Sequence, residues 1–561
     1  MSENTKPNNE RPADLAVQDS VGGMARRLLN PAHLRDLAGR SVKTLREQGA
    51  EQLWRDVKFR VGLAMHHDDW RHRADIPLRR ELKAQRAAHL QGPKISIIVP
   101  LYNTPAKLFD EMLQSVVRQT YTNWELVLVD ASDADKRLEH RLPKAVPGTI
   151  VYEPIENGGI ALNTTRGFAL AHGEYITLLD HDDVLYPNAL FEVVQTIQNT
   201  GADFVYSDEI VLSADLKELG GYHFKPDFML DNLRSNNYIC HLTVFSRALM
   251  ERAGGGERME YNGSQDYELF LRLTEQAEKI VHIPHALYYW RSSPGSTASD
   301  ISAKTYCLEA AMKALRAHYD RMGVPVDAVT MVPNTPGFYK TDYTITKPGR
   351  VSVLIPSCDH SGDLRVCVES IYRKTTYPDF EVIIIENNSK EAATFRCYEQ
   401  LQKEYPDTLH LLTWQGTGFN YSALNNFGAR EATGEYLLLL NNDTEVISAD
   451  FIEEMMGYLQ RSDAGVVGAK LYFADHLVQH AGILVGVRGA LAHANQDFSA
   501  KREGYLARAV RPGNFSAVTG ACQMVRRDVF DQVGGYNEEF AVGFNDADFC
   551  LRVWEAGYRT I

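Results

Sequence analysis

Three carboxylates fall within four positions in the stretch LLDHDD, at residues 178–183. Asp180, Asp182 and Asp183 follow an apolar run that is typical of a buried strand. Bringing several carboxylates together costs free energy unless a cation or hydrogen-bond donors compensate. Asp182 with Asp180 or Asp183 suits Mg²⁺ or Mn²⁺, which prefer oxygen ligands. An isolated Asp-x-Asp is more often a solvated acidic turn before a helix, so the surrounding sequence must decide between the two.

A similar stretch with less charge, LLNNDT, occurs at residues 439–444 and belongs to an internal duplication. Four blocks recur in the same order, at offsets of 256, 256, 261 and 280 residues. The pairs are ISIIVPLYN with VSVLIPSCD, NWELVLVDASD with DFEVIIIENNS, GEYITLLDHDD with GEYLLLLNNDT, and GSQDYELFLRL with GFNDADFCLRV. A repeat of this length is too long for a solenoid and indicates two copies of one domain.

Each copy alternates short apolar runs with helical patterns. The first run ends in Pro and a polar turn, and the second ends in an acid, Asp130 or Glu386. This alternation predicts an α/β fold with two domains, each a mainly parallel sheet flanked by helices. Ligands bind beyond the carboxyl ends of strands in such sheets. Residues 100–103, Asp130 and residues 180–183 should therefore meet in one crevice.

The repeats and the composition divide the chain into five parts. The predicted parts are a disordered tail at 1–21, a basic helical prefix at 22–93, a first domain at 94–298, a helical linker and connector at 299–349, and a second domain at 350–561. The linker begins with a helical pattern at 303–323 and continues as an irregular stretch rich in Pro and Gly. We expect this linker to set the angle between the domains.

Composition excludes several classes of protein. The net charge of −14 argues against a general nucleic-acid binder, which needs a basic surface. Seven scattered cysteines without a Cys-x-x-Cys pair are neither a disulfide framework nor a zinc site, which favours a reducing cytoplasm. No apolar stretch reaches the roughly 18 residues of a membrane-spanning helix, and the N-terminus lacks a signal-peptide pattern.

Charge is unevenly distributed along the chain. Residues 22–86 contain 15 Lys and Arg against 8 Asp and Glu, so this segment is positive within an acidic chain. Apolar residues recur there at near-helical spacing. The segment is either a helical prefix packed on the first domain or a peripheral helix on an anionic membrane surface.

The quoted motifs resemble family-2 glycosyltransferases of the GT-A fold. In the first copy the resemblance is carried by VPLYN, LVDASD, LLDHDD, YSDE, NYICH and GSQDYELFLR. In the second copy it is carried by FNYSALNNFG, LLLLNNDT, QHAGI, FSAVTGAC and FNDADFCLR. It covers roughly residues 94–561, and the tandem arrangement resembles bacterial O-antigen and surface-polysaccharide enzymes.

The resemblance implies a nucleotide-sugar site in the first copy. Asp130 would contact the base, Asp180 would lie near the ribose, and Asp182 would hold Mn²⁺ or Mg²⁺. The metal would neutralise charge on the leaving diphosphate. The expected donor-binding residues are Pro100, Tyr102, Asn103, Asp130, Asp180 and Arg291.

Asp266 matches the family's general base, which draws the proton from the acceptor hydroxyl. One base opposite the leaving group implies a single displacement that inverts the anomeric carbon. Arg291, in YYWRSSPGST, is the candidate cation for the departing diphosphate, because a guanidinium matches phosphate oxygens. His241 and His282 either line this site or are packed in the core.

The second copy keeps the same kinds of residue with one acid removed. Asn441 stands opposite Asp180 and can still accept a hydrogen bond from a ribose hydroxyl. The remaining predictions are Asp443 as metal ligand, Asp546 as base, and Pro356 and Glu386 as donor-binding residues. We therefore expect two active sites; the alternative is one active domain with a degenerate copy that holds acceptor or glycan.

The sequence ends at Ile561, soon after LRVWEAGYRT. Family members usually continue with a strand and a histidine-bearing segment that closes the nucleotide site. The second domain is therefore expected to be truncated, or completed differently, and less stable at that strand edge.

Other classes of protein fit the motifs less well. A glycan-binding protein on inactive domains would need neither a metal carboxylate nor a base, and a nucleotidyltransferase would want a Gly-rich basic loop near the first strand. The favoured prediction is a cytoplasmic transferase, peripheral on the inner face of the inner membrane. Its partners would be a UDP- or dTDP-sugar donor and a glycan or lipid-linked glycan acceptor, without nucleic acid.

Overall fold

The computed structural model describes residues 79–292, 305–487 and 490–561. The predicted tail and most of the prefix at 22–93 lie outside these residues. The described end of the prefix is helix α1 (Arg79–Ala88), which contacts the first domain through polar side chains. Gln85 donates a hydrogen bond to Glu192 (3.2 Å) and accepts one from Thr120 (3.0 Å). No helix among the described residues is long and apolar enough to cross a bilayer.

The first domain alternates strands and helices as predicted. Its elements are β1 (Ile95–Leu101), α2 (Ala106–Val117), β2 (Trp124–Asp130), β3 (Thr149–Pro154), α3 (Ile160–Leu170), β4 (Tyr175–Leu178), β5 (Val184–Leu185), α4 (Ala189–Thr200), β6 (Phe204–Ser213), β7 (Leu219–His223), α5 (Leu230–Ser235), β8 (Thr243–Ser246), α6 (Arg247–Arg252), α7 (Gln265–Gln276) and β9 (Ile280–Ser292).

A linker and the second domain follow. Their elements are α8 (Thr305–Met322), β10 (Val326–Met331), β11 (Tyr339–Tyr343), β12 (Val351–Ser357), α9 (Ser361–Lys374), β13 (Phe380–Glu386), α10 (Ala392–Glu404), β14 (Leu409–Thr413), α11 (Tyr421–Glu431), β15 (Tyr436–Leu440), α12 (Phe451–Leu459), β16 (Ala464–Gly468), β17 (Leu471–Tyr472), β18 (Val478–His480), β19 (Ile483–Val485), β20 (Leu491–His493), β21 (Cys522–Arg526), α13 (Arg527–Gln532), α14 (Asn545–Glu555) and β22 (Arg559–Thr560).

The two main sheets share one plan. Their strand orders are β3-β2-β1-β4-β8-β6-β9-β5, with β7 on β6, and β14-β13-β12-β15-β21-β16-β22. In each sheet the first four strands of this order are parallel, and β8 or β21 then runs antiparallel to its neighbours. The central strands are buried on both faces, which explains their continuous apolar sequence. The predicted α/β architecture is confirmed.

Repeated side-chain contacts explain why the sequence GEY occurs in both copies. Ser96 donates to the buried Glu125 (2.5 Å), and the backbone N–H of Gly173 donates to Ser96 Oγ (2.8 Å). Ser352 donates to Glu381 (2.6 Å) in the same way, and the N–H of Gly434 donates to Ser352 Oγ (2.8 Å). A Cβ at either glycine would lie within 2.8 Å of this serine. Glycine is therefore required for the close approach of β4 or β15 to the first strand of its domain.

The linker departs from its prediction in one respect. Helix α8 matches the predicted helical pattern, but the stretch expected to be irregular contains the antiparallel hairpin β10–β11. Tyr339, Thr341 and Tyr343 are buried on alternate positions, and the Tyr319 hydroxyl on α8 hydrogen-bonds Thr341 Oγ1 (2.8 Å). Packing against α8 therefore stabilises this hairpin. Its alternating buried positions form a short pattern that is flanked by Pro and Gly in the sequence.

The two domains share one hydrophobic core. A continuous cluster runs from the first sheet through α8 and the hairpin to the second sheet, and includes Phe204, Leu315, Tyr343, Tyr458 and Leu438. Tyr343 packs edge-on against Tyr458 of α12, with ring centroids 4.9 Å apart. The linker is therefore packed between the domains and fixes how they meet.

Replacing the close-packed glycines should destabilise both domains. We expect Gly173→Ala and Gly434→Ala each to lower stability by about 1–3 kcal/mol, because the added methyl meets backbone atoms that cannot rotate away. The midpoint of thermal unfolding measures this loss. Gly362→Ala is the matched control, since a Cβ there meets nothing within 4 Å. Equal midpoints for all three variants would contradict the close approach.

Candidate active site

The exits of β1 and β2 form one wall of the first crevice. Tyr102 is 51% exposed, and Asn103 adopts a positive φ of 48°, which asparagine tolerates better than most residues. The backbone N–H of Asn103 donates to Ser132 Oγ (2.8 Å), and its side chain donates to Asp133 (3.1 Å). Pro100, which is partly buried, precedes this turn. The predicted donor-binding residues of β1 therefore do lie at the strand end.

Asp130 lies at the end of β2 as predicted, but its carboxylate is fully buried. Oδ1 accepts the N–H of Ser132 (3.0 Å), and Oδ2 accepts the Tyr152 hydroxyl (2.6 Å) and the N–H of Leu138 (3.4 Å). Burial and the neighbouring Asp130 carboxylate raise the pKa of Tyr152. In this arrangement Asp130 shapes the loop after β2.

The three acids of LLDHDD have different surroundings. Asp183 is buried, and its carboxylate accepts the Tyr288 hydroxyl (2.7 Å) and the N–H of Arg291 (2.7 Å). Burial and the carboxylates of Asp180 and Asp182 raise the pKa of Asp183 well above its ordinary value. The Asp182 side chain is partly exposed, and no described residue donates a hydrogen bond to its carboxylate. Asp180 is exposed and faces His241, so Asp182 is the accessible acid of this turn whose carboxylate pairs with no described cation.

Arg291 does not occupy the position predicted for it. Its side chain has no exposed surface, whereas a diphosphate contact needs an accessible guanidinium. Nε donates to the Asp182 carbonyl (2.5 Å), Nη1 to the Ala214 carbonyl (2.5 Å) and Nη2 to Glu111 (2.8 Å). The sequence identified an arginine within a polar motif, but it could not show that the guanidinium is buried. Arg291 instead holds the backbone of the acidic turn in place.

Glu209 is a buried carboxylate that was not among the predicted site residues, and it contacts the histidine that faces Asp180. Glu209 accepts hydrogen bonds from the N–H of His241 (2.6 Å) and from His223 Nδ1 (2.6 Å), and lies 3.7 Å from Lys225 Nζ. Despite its burial, Lys225 and the two histidines hold the pKa of Glu209 well below its ordinary value. His241 Nε2 lies 3.8 Å from Asp180 Oδ2. The YSDE and NYICH motifs thus meet here.

His241 and His282, left open by the sequence, have different positions. His241 reaches Asp180 at the crevice, and although burial opposes it, the neighbouring Cys240 and Glu209 raise the pKa of His241 well above its ordinary value. His282 is only 4% exposed at its side chain, bonds Asp208 (2.9 Å) and stacks on Tyr206. His282 is therefore packed in the core.

Asp266 lies in the first turn of α7. Its Oδ2 accepts a hydrogen bond from Asn237 (3.0 Å), a second residue that sequence reasoning missed although it begins the NYICH motif. Desolvation by the surrounding protein, together with the Asp182 and Asp266 carboxylates, raises the pKa of Asp180, while His241 opposes this rise. Asp180 is therefore close enough to interact with both Asp182 and Asp266.

The second crevice has the same plan with fewer charges. Pro356 and the buried Glu386 end β12 and β13, and Glu386 accepts the N–H of Ser389 (2.5 Å). The N–H of Asn441 donates to the Ala521 carbonyl (3.0 Å). Asp443 is exposed, and no described residue donates to its carboxylate.

Asp546 approaches the same strand end in the second domain. Its Oδ2 accepts the N–H of Gly520 (3.2 Å), and Gly520 directly precedes the residue that binds Asn441. Asp548 instead pairs with Arg552 on the helix surface (2.8 Å). The structure thus brings Asn441 and Asp546 together.

The QHAGI motif supports the Gly520 loop. His480 is buried, and its Nε2 accepts the N–H groups of Gly482 and Thr519, both at 3.3 Å. Nδ1 therefore carries the proton and donates to His493 Nδ1 (2.9 Å). Burial and His493 lower the pKa of His480 to about 3, so the neutral ring holds this loop.

The carboxylates fit a divalent cation that takes its other ligands from the substrate. Within residues 79–292, 305–487 and 490–561, no three His, Cys, Asp or Glu side chains converge to hold a metal by themselves. Asp182 and Asp443 each offer, at a strand end, a carboxylate to which no described residue donates a hydrogen bond. Such a carboxylate suits an Mg²⁺- or Mn²⁺-type ion coordinated by phosphate oxygens and water.

Comparison with known proteins gives the family. The model described as glycosyl transferase family 2 matches residues 96–253 and 352–534. The uncharacterized protein y4gI of Sinorhizobium fredii is 40% identical over 84% of this chain and 52% of that protein. The O-antigen biosynthesis protein RfbC of Myxococcus xanthus is 34% identical over 84% of this chain and 36% of that protein. The chain therefore spans about half, or less, of these relatives.

Solved structures show a more distant likeness. TarS of S. aureus in complex with UDP-GlcNAc matches 40% of this chain and 66% of that chain, at 19% identity and a TM-score of 0.34. The family model covers both repeated domains and more than half of the residues. The chain belongs to glycosyl transferase family 2.

Proposed function

We propose that the chain transfers sugars from nucleotide-diphosphate donors to a growing surface polysaccharide or lipid-linked glycan, with inversion at the anomeric carbon and with Mn²⁺ or Mg²⁺. UDP- or dTDP-sugars are the favoured donors. The observation that carries the proposal is the first crevice. There Asp180 interacts with Asp266 at the start of α7 and with Asp182, whose carboxylate accepts no hydrogen bond from a described residue. A cation site and a base are the two parts that such a transfer needs.

On the donor side, the turns after β1, β2 and β4 converge. Tyr102 and Asn103 offer exposed surface and a rigid turn for the nucleotide. A divalent cation held by Asp182 would stabilise negative charge on the leaving diphosphate. Arg291 fixes the turn that presents Asp182, through the Asp182 carbonyl. Its role in the proposal is therefore to position a metal ligand.

On the acceptor side, Asp266 is the proposed base. Its hydrogen bond from Asn237 orients one carboxylate oxygen and leaves the other to take the proton from an acceptor hydroxyl. The hydroxyl oxygen then attacks the anomeric carbon as the bond to the diphosphate breaks. A single displacement of this kind needs no carboxylate nucleophile.

We propose that the second crevice is also active. The register of β15 with β21 and of β16 with β21, continued by one to three residues beyond the paired positions, gives the counterparts of the first-site residues. Asp180, His241 and Glu209 correspond to Asn441, Ala521 and Leu471. An acid, its imidazole partner and the carboxylate behind that imidazole are therefore replaced together, while Asp443 and Asp546 remain. This favours an altered working site over a degenerate glycan-binding copy.

The cellular setting is also a proposal. The positive sequence at residues 22–86 and the O-antigen relative support action at the cytoplasmic face of the inner membrane. Two sites in one chain would suit an alternating linkage, since the product of one site is held near the other.

Removal of the metal carboxylates tests both sites. We expect Asp182→Ala and Asp443→Ala each to reduce metal-dependent release of nucleoside diphosphate at its own site by about 100-fold or more, because several kcal/mol of charge stabilisation is lost. The assay follows release from UDP-, dTDP- and GDP-sugars with short-glycan acceptors. Asp320→Ala, an exposed site on α8, is the control. If only Asp182→Ala matters, the second copy is a binding module.

Removal of the base candidates tests the acceptor side. Asp266→Asn and Asp546→Asn should lower kcat by about 10²–10⁴-fold with little change in donor KM, because proton transfer is lost while the donor still binds. Asp548→Asn is the matched control, since Asp548 pairs with Arg552 on the same helix. Full activity of Asp266→Asn would remove Asp266 from the proposed mechanism.

A further inference from the structure

Helix α5 connects the first active site to the second domain. Directly after this helix, Asn237 donates to Asp266 Oδ2 (3.0 Å). The next residue of α7, Tyr267, donates its hydroxyl to the carbonyl of Leu233 on α5. The start of α7, where the proposed base lies, is therefore attached to α5 at two points.

Residues of the second domain hold α5 from its other side. Asp231 is buried, and its two carboxylate oxygens accept Arg461 Nη1 (2.5 Å) and Nη2 (3.1 Å). Asn514 donates to Asp231 Oδ2 (2.8 Å) and accepts the N–H of Asp231 (3.0 Å). Burial alone would raise the pKa of Asp231, but Arg461 holds it at about 2. The charged pair is therefore complete at neutral pH.

The neighbouring residues of α5 make further contacts with the segment that contains Asn514. Asn232 Oδ1 accepts Arg511 Nη1 (3.1 Å), and Ser235 Oγ donates to the Pro512 carbonyl (3.0 Å). Gly513 packs so closely that a Cβ there would lie 2.5 Å from Asn232 Oδ1. Asp231, Asn232 and Ser235 of α5 therefore all contact the second domain.

A second contact reaches the acidic turn by a different route. Tyr505 donates its hydroxyl to the Tyr222 carbonyl (2.8 Å) and accepts the N–H of Phe224 (2.6 Å). The next residue, Lys225, pairs with Glu209, which orients His241 beside Asp180. Contacts from the second domain therefore reach both the Asp266 side and the Asp180 side of the first crevice.

We infer that the second domain completes the first active site, with Arg461 and Asn514 as positioning residues that fix Asn237, and through it Asp266, by way of α5. The inference rests on the role proposed above for Asp266. Among the described residues, the second site has no counterpart of the hydrogen bond from Asn237 to Asp266. The counterpart of Asn237 in the second domain is Ala517, and Asp546 is held there by the backbone of Gly520 within its own domain.

The experiment uses the full chain with the second site disabled by Asp546→Asn, so that the remaining turnover comes from the first site. In this background Asn514→Ala should lower kcat by about 10- to 100-fold, because small displacements of a base are costly, while donor KM changes less than about twofold. Asn237→Ala should have a similar effect. The double variant should be no slower than Asn237→Ala alone, because both changes act on one contact.

Two controls separate positioning from loss of fold. Glu454→Gln breaks a linker contact with Lys340 that does not touch α5, and should leave first-site kcat unchanged. The conservative variant Asn514→Ser leaves the Asp231–Arg461 pair intact and keeps a hydroxyl that can donate to the Asp231 carboxylate. It should recover kcat relative to Asn514→Ala, and hydrogen exchange of residues 230–238 should slow in parallel.

The outcomes are distinguishable. If the unaltered chain, with both sites intact, releases no nucleoside diphosphate from any donor, the proposed function fails. If the parent is active and Asn514→Ala matches it, or if the effects of Asn514→Ala and Asn237→Ala multiply, the inference fails and the proposed function stands. Faster hydrogen exchange at residues 230–238 together with a non-additive loss of kcat supports the inference. If Asn514→Ala does not fold, the measurement passes to Asn514→Ser. A folded Asn514→Ser variant that changes donor KM instead of kcat overturns the inference.

Discussion

The first crevice depends on one electrostatic constraint: several carboxylates must lie together at the exits of parallel strands. Each acid therefore has a different compensation. Asp183 is buried beneath two hydrogen-bond donors, and Glu209 pairs with a buried lysine. Asp180 faces an imidazole whose protonated form Glu209 favours. The groups that compensate the other acids do not pair with the Asp182 carboxylate. That carboxylate therefore remains available to a cation.

The second crevice meets the same constraint by having fewer acids. Where Asp180 becomes Asn441, the imidazole and the deeper carboxylate are no longer required, and small or apolar residues take their places. A random loss of function would not be expected to remove an acid together with the groups that compensate it. The joint replacement is therefore better explained by a different ribose-side contact, made by a neutral amide, than by decay of the site.

The sequence predicts those parts of the structure that follow from local pattern. The strand exits, the duplication and the placement of residues 100–103, Asp130 and residues 180–183 at the ends of parallel strands follow from apolar periodicity and from the parallel sheet. The role of Arg291 could not be predicted, because burial of its guanidinium depends on carbonyls and a carboxylate far away in the chain. The hairpin β10–β11 was missed because its stability comes from packing on α8 rather than from its own composition.

Contacts between the domains are beyond the reach of local pattern, since Asp231 lies 230 residues from Arg461 and 283 from Asn514. They also explain why duplicated domains need not be interchangeable. A buried carboxylate that loses its cationic partner is destabilising by about 3–5 kcal/mol, so the position of α5 depends in part on the second domain. Because the position of α5, next to the first active site, depends on contacts with the second domain, the two copies are not independent enzymes joined by a linker. Divergence of the second crevice is then limited by the surface that must still hold α5.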